Sequence, residues 1–338
     1  MGLIIHGPLD YANQAALSAE GLRRTGANAR CLVHSQPFGY SGADRILPRQ
    51  NVLRLAYLVP QLLRCDVLHL YSRQSLFMGR MAKDDARLLR SRGRRVVMEF
   101  SGTDARLPSV ASAASPFYVP PATYDEDSIN AALSGWSELC SGHVVVADHN
   151  LDGELHRHFD TVHVVGLRVD TGSFVPSPPS PSATRPVLVH APTNPRIKGT
   201  VHVRRSVEYL QSAGLDFEYV EITRMSHSEA KAHYQRADLV VDQLCIGAHG
   251  VFALEAFSLA KPVVCYIRPD LVATYPRDLP VINANPETLT TVLGEWLQKP
   301  AERRDRGIES RAYAEREHDV CVVARRLLDV YEQLPRGT

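Results

Sequence analysis

The sequence predicts an α/β chain built as two parallel-sheet domains, and three observations carry that expectation. Short apolar runs alternate with helical patterns from one end to the other. A chain of 338 residues with 44% hydrophobic content is large enough to bury more than one core. Past the middle, 176–186 reads PSPPSPSATRP, a composition that does not pack and predicts an extended linker or surface loop.

In the first half the predicted strands are 3–6, 29–33, 67–70, 95–100, 143–147 and 161–165. Helical periodicity fills the intervals at 14–25, 52–63, 79–92, 127–139 and 151–159. Asn13 reads as an N-cap for the first of these helices. The stretch 107–123 has no period and reads as a loop over the N-terminal domain. In the second half the predicted strands are 187–190, 217–221, 239–242, 262–267 and a short one near 280–283. Val203, Val207 and Leu210 share one face of a helix over 201–213, which Gly214 ends. Ser226-x-x-Glu229 is a capping box that opens another helix. From Pro286 to about Leu334 the tail is almost all helix.

Composition excludes several classes. A net charge of +1 gives no bulk attraction for nucleic acid, so no nucleic-acid partner is expected. Six scattered cysteines, several in apolar runs, suit reduced buried thiols rather than a disulfide framework or a zinc site. That usage, with no signal-peptide pattern in MGLIIHGPLDY, leads us to expect a cytoplasmic protein. No run reaches the length of a membrane span. His156-x-His158, with His149 and His163, lacks a second ligand cluster at metal-binding spacing, and no metal is expected. The basic residues from Arg80 to Arg95 read as a solvated helix face, with a weaker alternative of resting on an anionic membrane.

The most informative stretch is 237–267, ADLVVDQLCIGAHGVFALEAFSLAKPVVCYI. An apolar strand ends at Asp242-Gln243, a loop with Gly247 and Gly250 follows, and a helix carries Glu255 one turn in before stopping at Lys261-Pro262. Helix N-termini present unpaired N–H groups and partial positive charge, and a glycine-rich approach lets a phosphate sit on them. Glu255 can accept hydrogen bonds from the paired hydroxyls of a ribose. The segment is therefore read as a nucleotide-diphosphate site.

This stretch resembles the donor-binding motif of the GT-B glycosyltransferases, in particular the retaining family-4 group. Glu255 matches the second glutamate of that group's Glu-x7-Glu pattern, and Gly247 stands where the first would be. The loop 190–200, HAPTNPRIKGT, resembles the Arg-x4-Lys motif, with Lys198 at the lysine, Thr193 at the arginine and Arg196 as a candidate replacement. Phe100-Ser-Gly-Thr-Asp104 resembles the His-Gly-x-Asp turn, with Ser101 at the histidine position. For Asp104 a turn-closing role and a catalytic one stand level. Asp66-Val-Leu-His69-Leu-Tyr71 resembles another of the group's strands, where His69 reads best as a satisfied core histidine. Gly7 matches the start of the glycine-rich loop after the first strand. The segment from Gly166 to Phe174 resembles the interdomain hinge.

The resemblance implies two Rossmann-like domains facing a cleft. They would cover 1–168, joined by about 320–338, and 169–319, with a last helix that crosses back to the N-terminal domain. It implies transfer of a sugar from a nucleotide-sugar donor to a small-molecule, glycan or lipid-linked acceptor, with retention of configuration. The nucleotide-sugar is the substrate, and no cofactor is implied. Lys198, Arg196, Asp104 and Ser101 are the candidate catalytic residues. The amides of Gly250, Val251 and Phe252 would hold the distal phosphate, and Glu255 the ribose. Thr223 and Arg224 are candidates for the base pocket, although an ordinary surface loop fits them better. His249 either contacts the donor sugar or faces solvent. Two rivals remain open: a nucleotide-sugar epimerase of the same fold, and a non-catalytic accessory subunit, which Gly247, Thr193 and Ser101 motivate.

Overall fold

The computed structural model describes residues 2–121 and 123–337. Of these, 2–110, 123–168 and 320–337 form one compact unit, and 111–121 with 169–319 form the other.

The first unit is built on a seven-stranded parallel sheet: β1 (Leu3–Gly7), β2 (Ala29–Val33), β3 (Arg45–Ile46), β4 (Cys65–Tyr71), β5 (Arg95–Phe100), β6 (His143–Val146) and β7 (Thr161–Val164). Their order is β3-β2-β1-β4-β5-β6-β7. Both faces are buried, so the strands are apolar almost throughout. Leu3, Ile5, Leu68 and Leu70 enter the core on one face, and Ile4, Val67 and Tyr71 the core on the other. The two-residue β3 was not foreseen: it pairs only at the sheet edge and is too short to show a period.

The second unit carries five parallel strands: β8 (Val187–His190), β9 (Glu218–Glu221), β10 (Leu239–Val241), β11 (Val263–Cys265) and β12 (Val281–Asn283). Their order is β12-β11-β10-β8-β9. In each sheet the chain winds outward one way and then restarts on the other side of its first strand. The switch points are therefore β1/β4 and β8/β10, where ligands of open α/β sheets sit.

Several local expectations need correction. Asn13 is left-handed (φ 64°) and caps nothing through its side chain; Asp10 caps the helix Gln14–Arg24 instead, accepting the Ala15 amide at 2.9 Å. The stretch 79–92 is split by Lys83 (φ 73°) into a short turn and the helix Asp84–Ser91. The stretch 107–123 contains the helix Pro108–Ala114, and its residues 111–121 belong to the second unit. Aromatic packing draws it there: Phe117 meets Tyr266 edge-on at 5.3 Å, and Ser115 donates to the Cys245 carbonyl. The proline-rich 176–186 is a surface strap of the second unit. Ser177 donates to the Leu259 carbonyl at 2.9 Å and accepts from Lys261. The Ser226–Glu229 capping box forms in full.

The last helix, Val320–Gln333, packs on Gln14–Arg24 within the first unit. The two axes approach at Gly21, where an added Cβ would run into the Val320 carbonyl and lie 3.1 Å from Ala324 Cβ. Gly21→Ala is expected to cost about 2 kcal/mol, since a backbone carbonyl cannot step aside as a side chain can. Denaturant unfolding of the variant measures this directly.

Candidate functional site

Lys198 reaches its place through local chain geometry. Asn194 caps the turn Pro195–Lys198 by accepting the Arg196 amide at 3.2 Å, and Pro195 pre-sets its first residue. Gly199 then breaks the turn in the left-handed region (φ 72°), and Lys198 is directed inward, only 9% exposed.

There it meets Asp242, the residue that follows β10. Lys198 Nζ donates to one carboxylate oxygen of fully buried Asp242, and the Gly250 amide donates to the other at 2.6 Å. Lys198 follows β8 and Asp242 follows β10, so this pair lies at the switch point of the second sheet. Gly250 is the N-cap of the helix Val251–Ser258. A Cβ on Gly250 would stand 3.1 Å from Lys198 Nζ, 3.2 Å from Asp242 Oδ2 and 3.4 Å from Gln243 Oε1. Three polar side chains thus converge on one glycine at a helix N-terminus.

One turn into that helix, Glu255 is buried and lies 2.6 Å from His227 Nε2. His227 opens the helix that the capping box starts, so the loop after β9 reaches Glu255 through this imidazole. Thr223 and Arg224 are exposed in the same loop. Val251 and Phe252 are the first two residues of the helix, where amides have no acceptor within the helix itself.

Other candidates stand elsewhere. Arg196 does not join Lys198; its guanidinium donates to the Pro120 carbonyl at 3.0 Å. His249 is not a solvent-facing loop residue. It is buried among Tyr275 at 5.2 Å, His318 at 5.4 Å and Phe257 at 6.3 Å between ring centroids. The position of the absent first glutamate is closed to any side chain: Gly247 has φ 87°, and a Cβ there would fall inside the Arg268 side chain.

In the first unit, Asp104 closes its own turn, accepting the Ser101 amide at 3.1 Å and the Gly102 amide at 2.7 Å. Of its two readings, turn closure is the one these bonds explain. Ser101 Oγ lies 3.1 Å from Ser72 Oγ, and Gly7 ends β1 where an added Cβ would run into the Leu32 carbonyl. His69 belongs to a buried polar network. Its Nδ1 lies 2.7 Å from the Tyr331 hydroxyl and its Nε2 3.2 Å from Glu99, and His6 bonds the Tyr71 hydroxyl at 2.7 Å. Arg168 donates to Glu99, and neither side chain is exposed. Burial pushes the Glu99 carboxyl up, but the charge of Arg168 and the bond to His69 outweigh it and hold the group below its usual range. Burial likewise drives both histidines down, toward the neutral form.

His190, at the end of β8, is fixed by the Val241 carbonyl at 2.9 Å and the Thr200 hydroxyl at 3.0 Å. Burial lowers its pKa from 6.5 to about 4. The neutral ring is the folded form, so above pH 6.5 it costs nothing. As pH falls from 6.5 toward 4, the unfolded chain takes up a proton that the folded chain refuses, and stability is lost, by up to about 3 kcal/mol. Thermal melts across this range are expected to be flatter for His190→Gln than for the natural protein.

Sequence reading missed Asp242 and His227 as site residues. Asp242 did have a signal, a carboxylate closing a wholly apolar strand. His227 had one too, as the residue after the cap of a helix beside the site.

No protein-family model matches the sequence, and no curated protein does. Solved structures do match over both units. Sucrose-phosphate synthase from Thermosynechococcus elongatus superposes with a TM-score of 0.65 at 14% identity, covering 98% of each chain. Anabaena HepE in complex with UDP-glucose gives 0.60 at 11%, covering 99% of this chain and all of the other. WaaG, a glycosyltransferase involved in lipopolysaccharide biosynthesis, gives 0.57 at 11%, covering 97% and 99%. The fold is GT-B. Within a GT-B chain the Lys198–Asp242–Gly250 cluster lies in the second of the two sheets, past the carboxyl ends of its strands.

Proposed function

We propose that this GT-B chain is a glycosyltransferase that moves a sugar from a nucleotide-sugar to an acceptor, with retention of configuration. One observation carries the reading: a buried lysine and a helix N-terminal amide converge on a single anion at the β8/β10 switch point, with Glu255 one turn away. A cation and an N-terminal amide are what a diphosphate requires.

In this reading the second unit holds the nucleotide and the first the acceptor. Lys198 and the amides of Gly250, Val251 and Phe252 meet the diphosphate in place of Asp242, and Glu255 takes the ribose hydroxyls in place of its bond to His227. The acceptor hydroxyl attacks the anomeric carbon on the side from which the diphosphate leaves. The bond from that carbon to the phosphate oxygen breaks, and the departing phosphate takes the acceptor proton. Charge builds on the leaving oxygen, so a fixed cation there stabilises the transition state more than the ground state. In this scheme Lys198 and the helix dipole supply that stabilisation, and no metal is called on. HepE was solved with UDP-glucose, which makes uridine donors the first to try.

Calorimetric titration with UDP, GDP, ADP and TDP tests the reading. One of them is expected to bind, and Glu255→Ala to weaken it about ten-fold through loss of a charged hydrogen-bond acceptor. If none binds to the folded protein, the transferase reading fails.

A further inference from the structure

The helix Asn51–Arg64 in the first unit turns an apolar face outward. Leu58 and Leu62 are buried in the core, while Val52 is 77% exposed, Leu53 54% and Leu63 45%. Ala56 and Pro60 lie on the same outward side, so that face carries almost no polar group along its length. Ile46, on the edge strand just before the helix, is exposed as well.

Between Asp44, which pairs with Arg23, and Asp66, which pairs with Arg94, the charges on this segment have one sign. From Arg45 to Cys65 the sequence has four arginines and no aspartate or glutamate. Arg54 is buried and donates to the Pro48 carbonyl at 2.9 Å; Arg45, Arg49 and Arg64 are exposed. A symmetric pairing with a second copy would set these arginines against each other with no carboxylate on the helix to meet them. An outward apolar stripe rimmed by arginine is instead what an interfacial helix offers to anionic headgroups and the acyl chains beneath them.

We propose that this helix docks the protein on an anionic lipid surface, its axis in the plane of the membrane. The stripe differs from the basic run 80–95, three of whose cations serve the fold. Lys83 sits over the Trp136 ring, Arg94 pairs with Asp66 at 2.6 Å, and Arg90 donates to the Glu138 and Leu139 carbonyls. Among the described residues no helix is long and apolar enough to cross a membrane, and a helix lying in the interface does not need to be.

Flotation of the full chain with vesicles tests the proposal. The protein is expected to float with phosphatidylcholine mixed with phosphatidylglycerol at low salt, and to be released as salt rises. The pair Leu53→Gln and Leu63→Gln should reduce partitioning at least about ten-fold, and Arg49→Gln and Arg64→Gln about five-fold per arginine. All four side chains are exposed, and melting confirms that the variants fold. A Leu53→Trp variant gives a second readout, a blue shift of its emission on adding the mixed vesicles. The proposal is overturned if the natural protein stays in the soluble fraction with mixed vesicles. It is equally overturned if the leucine pair floats as well as the natural protein. A dimer that the leucine pair dissolves, with no vesicle binding, would assign the face to a second copy instead.

Discussion

Replacing Arg168 with methionine is expected to cost about 3–5 kcal/mol of stability, because it strands the Glu99 carboxylate without exposure to water. Arg168 has few substitutes. Its backbone amide donates to Gln14 Oε1 at 3.0 Å, its Nε to the Gln14 carbonyl at 3.1 Å and its Nη1 to the Gly166 carbonyl at 3.1 Å. Gln14 Nε2 in turn donates to the Arg168 carbonyl at 2.9 Å. Adding Glu99→Leu to the methionine variant is expected to recover much of the loss, since the uncompensated charge is then gone. Urea unfolding of both single variants and the double variant gives the coupling. A double variant no more stable than Arg168→Met would mean that the hydrogen bonds, not the charge, carry the cost.

The second large effect concerns Lys198 and Asp242, which should move nucleotide affinity in opposite directions. Lys198→Met removes the cation and leaves Asp242 buried against the Gly250 amide alone. Binding of the nucleoside diphosphate is expected to fall ten- to hundred-fold, the range of about 1.5–3 kcal/mol for a charged hydrogen bond. Asp242→Asn keeps the shape and removes the anion that already satisfies Lys198. Binding is then expected to tighten about ten-fold, because an incoming phosphate no longer competes with a carboxylate for the same two donors. Titration of both variants settles the matter. If both weaken binding, Asp242 supports the ligand rather than standing in its place.

The sheets were legible in the sequence because strands buried on both faces are continuous apolar runs. Leu239–Val241 and Val263–Cys265 have no alternative reading beside a glycine loop and a Lys-Pro stop. What escaped was whatever depends on a distant partner. Arg45–Ile46 is a strand only because Leu32 and Val33 lie beside it. The helix Pro108–Ala114 is followed by residues whose aromatic contacts lie more than a hundred positions downstream. Within the candidate site, Lys198, Gly250 and Glu255 were legible because a motif places them. Asp242 and His227 each carried a local signal, but their partners, Lys198 with the Gly250 amide and Glu255, lie far enough along the chain that spacing does not reveal them. For His249 the solvent-facing reading fails because a cluster of rings from residues 257, 275 and 318 packs around it, which a histidine between loop glycines does not announce.

The last helix supplies Val323, Leu327, Val330 and Tyr331 to the same core as Ala15, Ala19 and Leu22. On the ribosome this core stays open until residues 320–333 have emerged, when the strands of the second unit are already complete. The nascent first unit must therefore carry an uncovered apolar groove, and a His69 still lacking its tyrosine, while the whole second unit is being made. A gene cut after codon 168 would make that waiting state permanent. Separating the two units calls for splicing the terminal helix back to the first, not for a single stop codon.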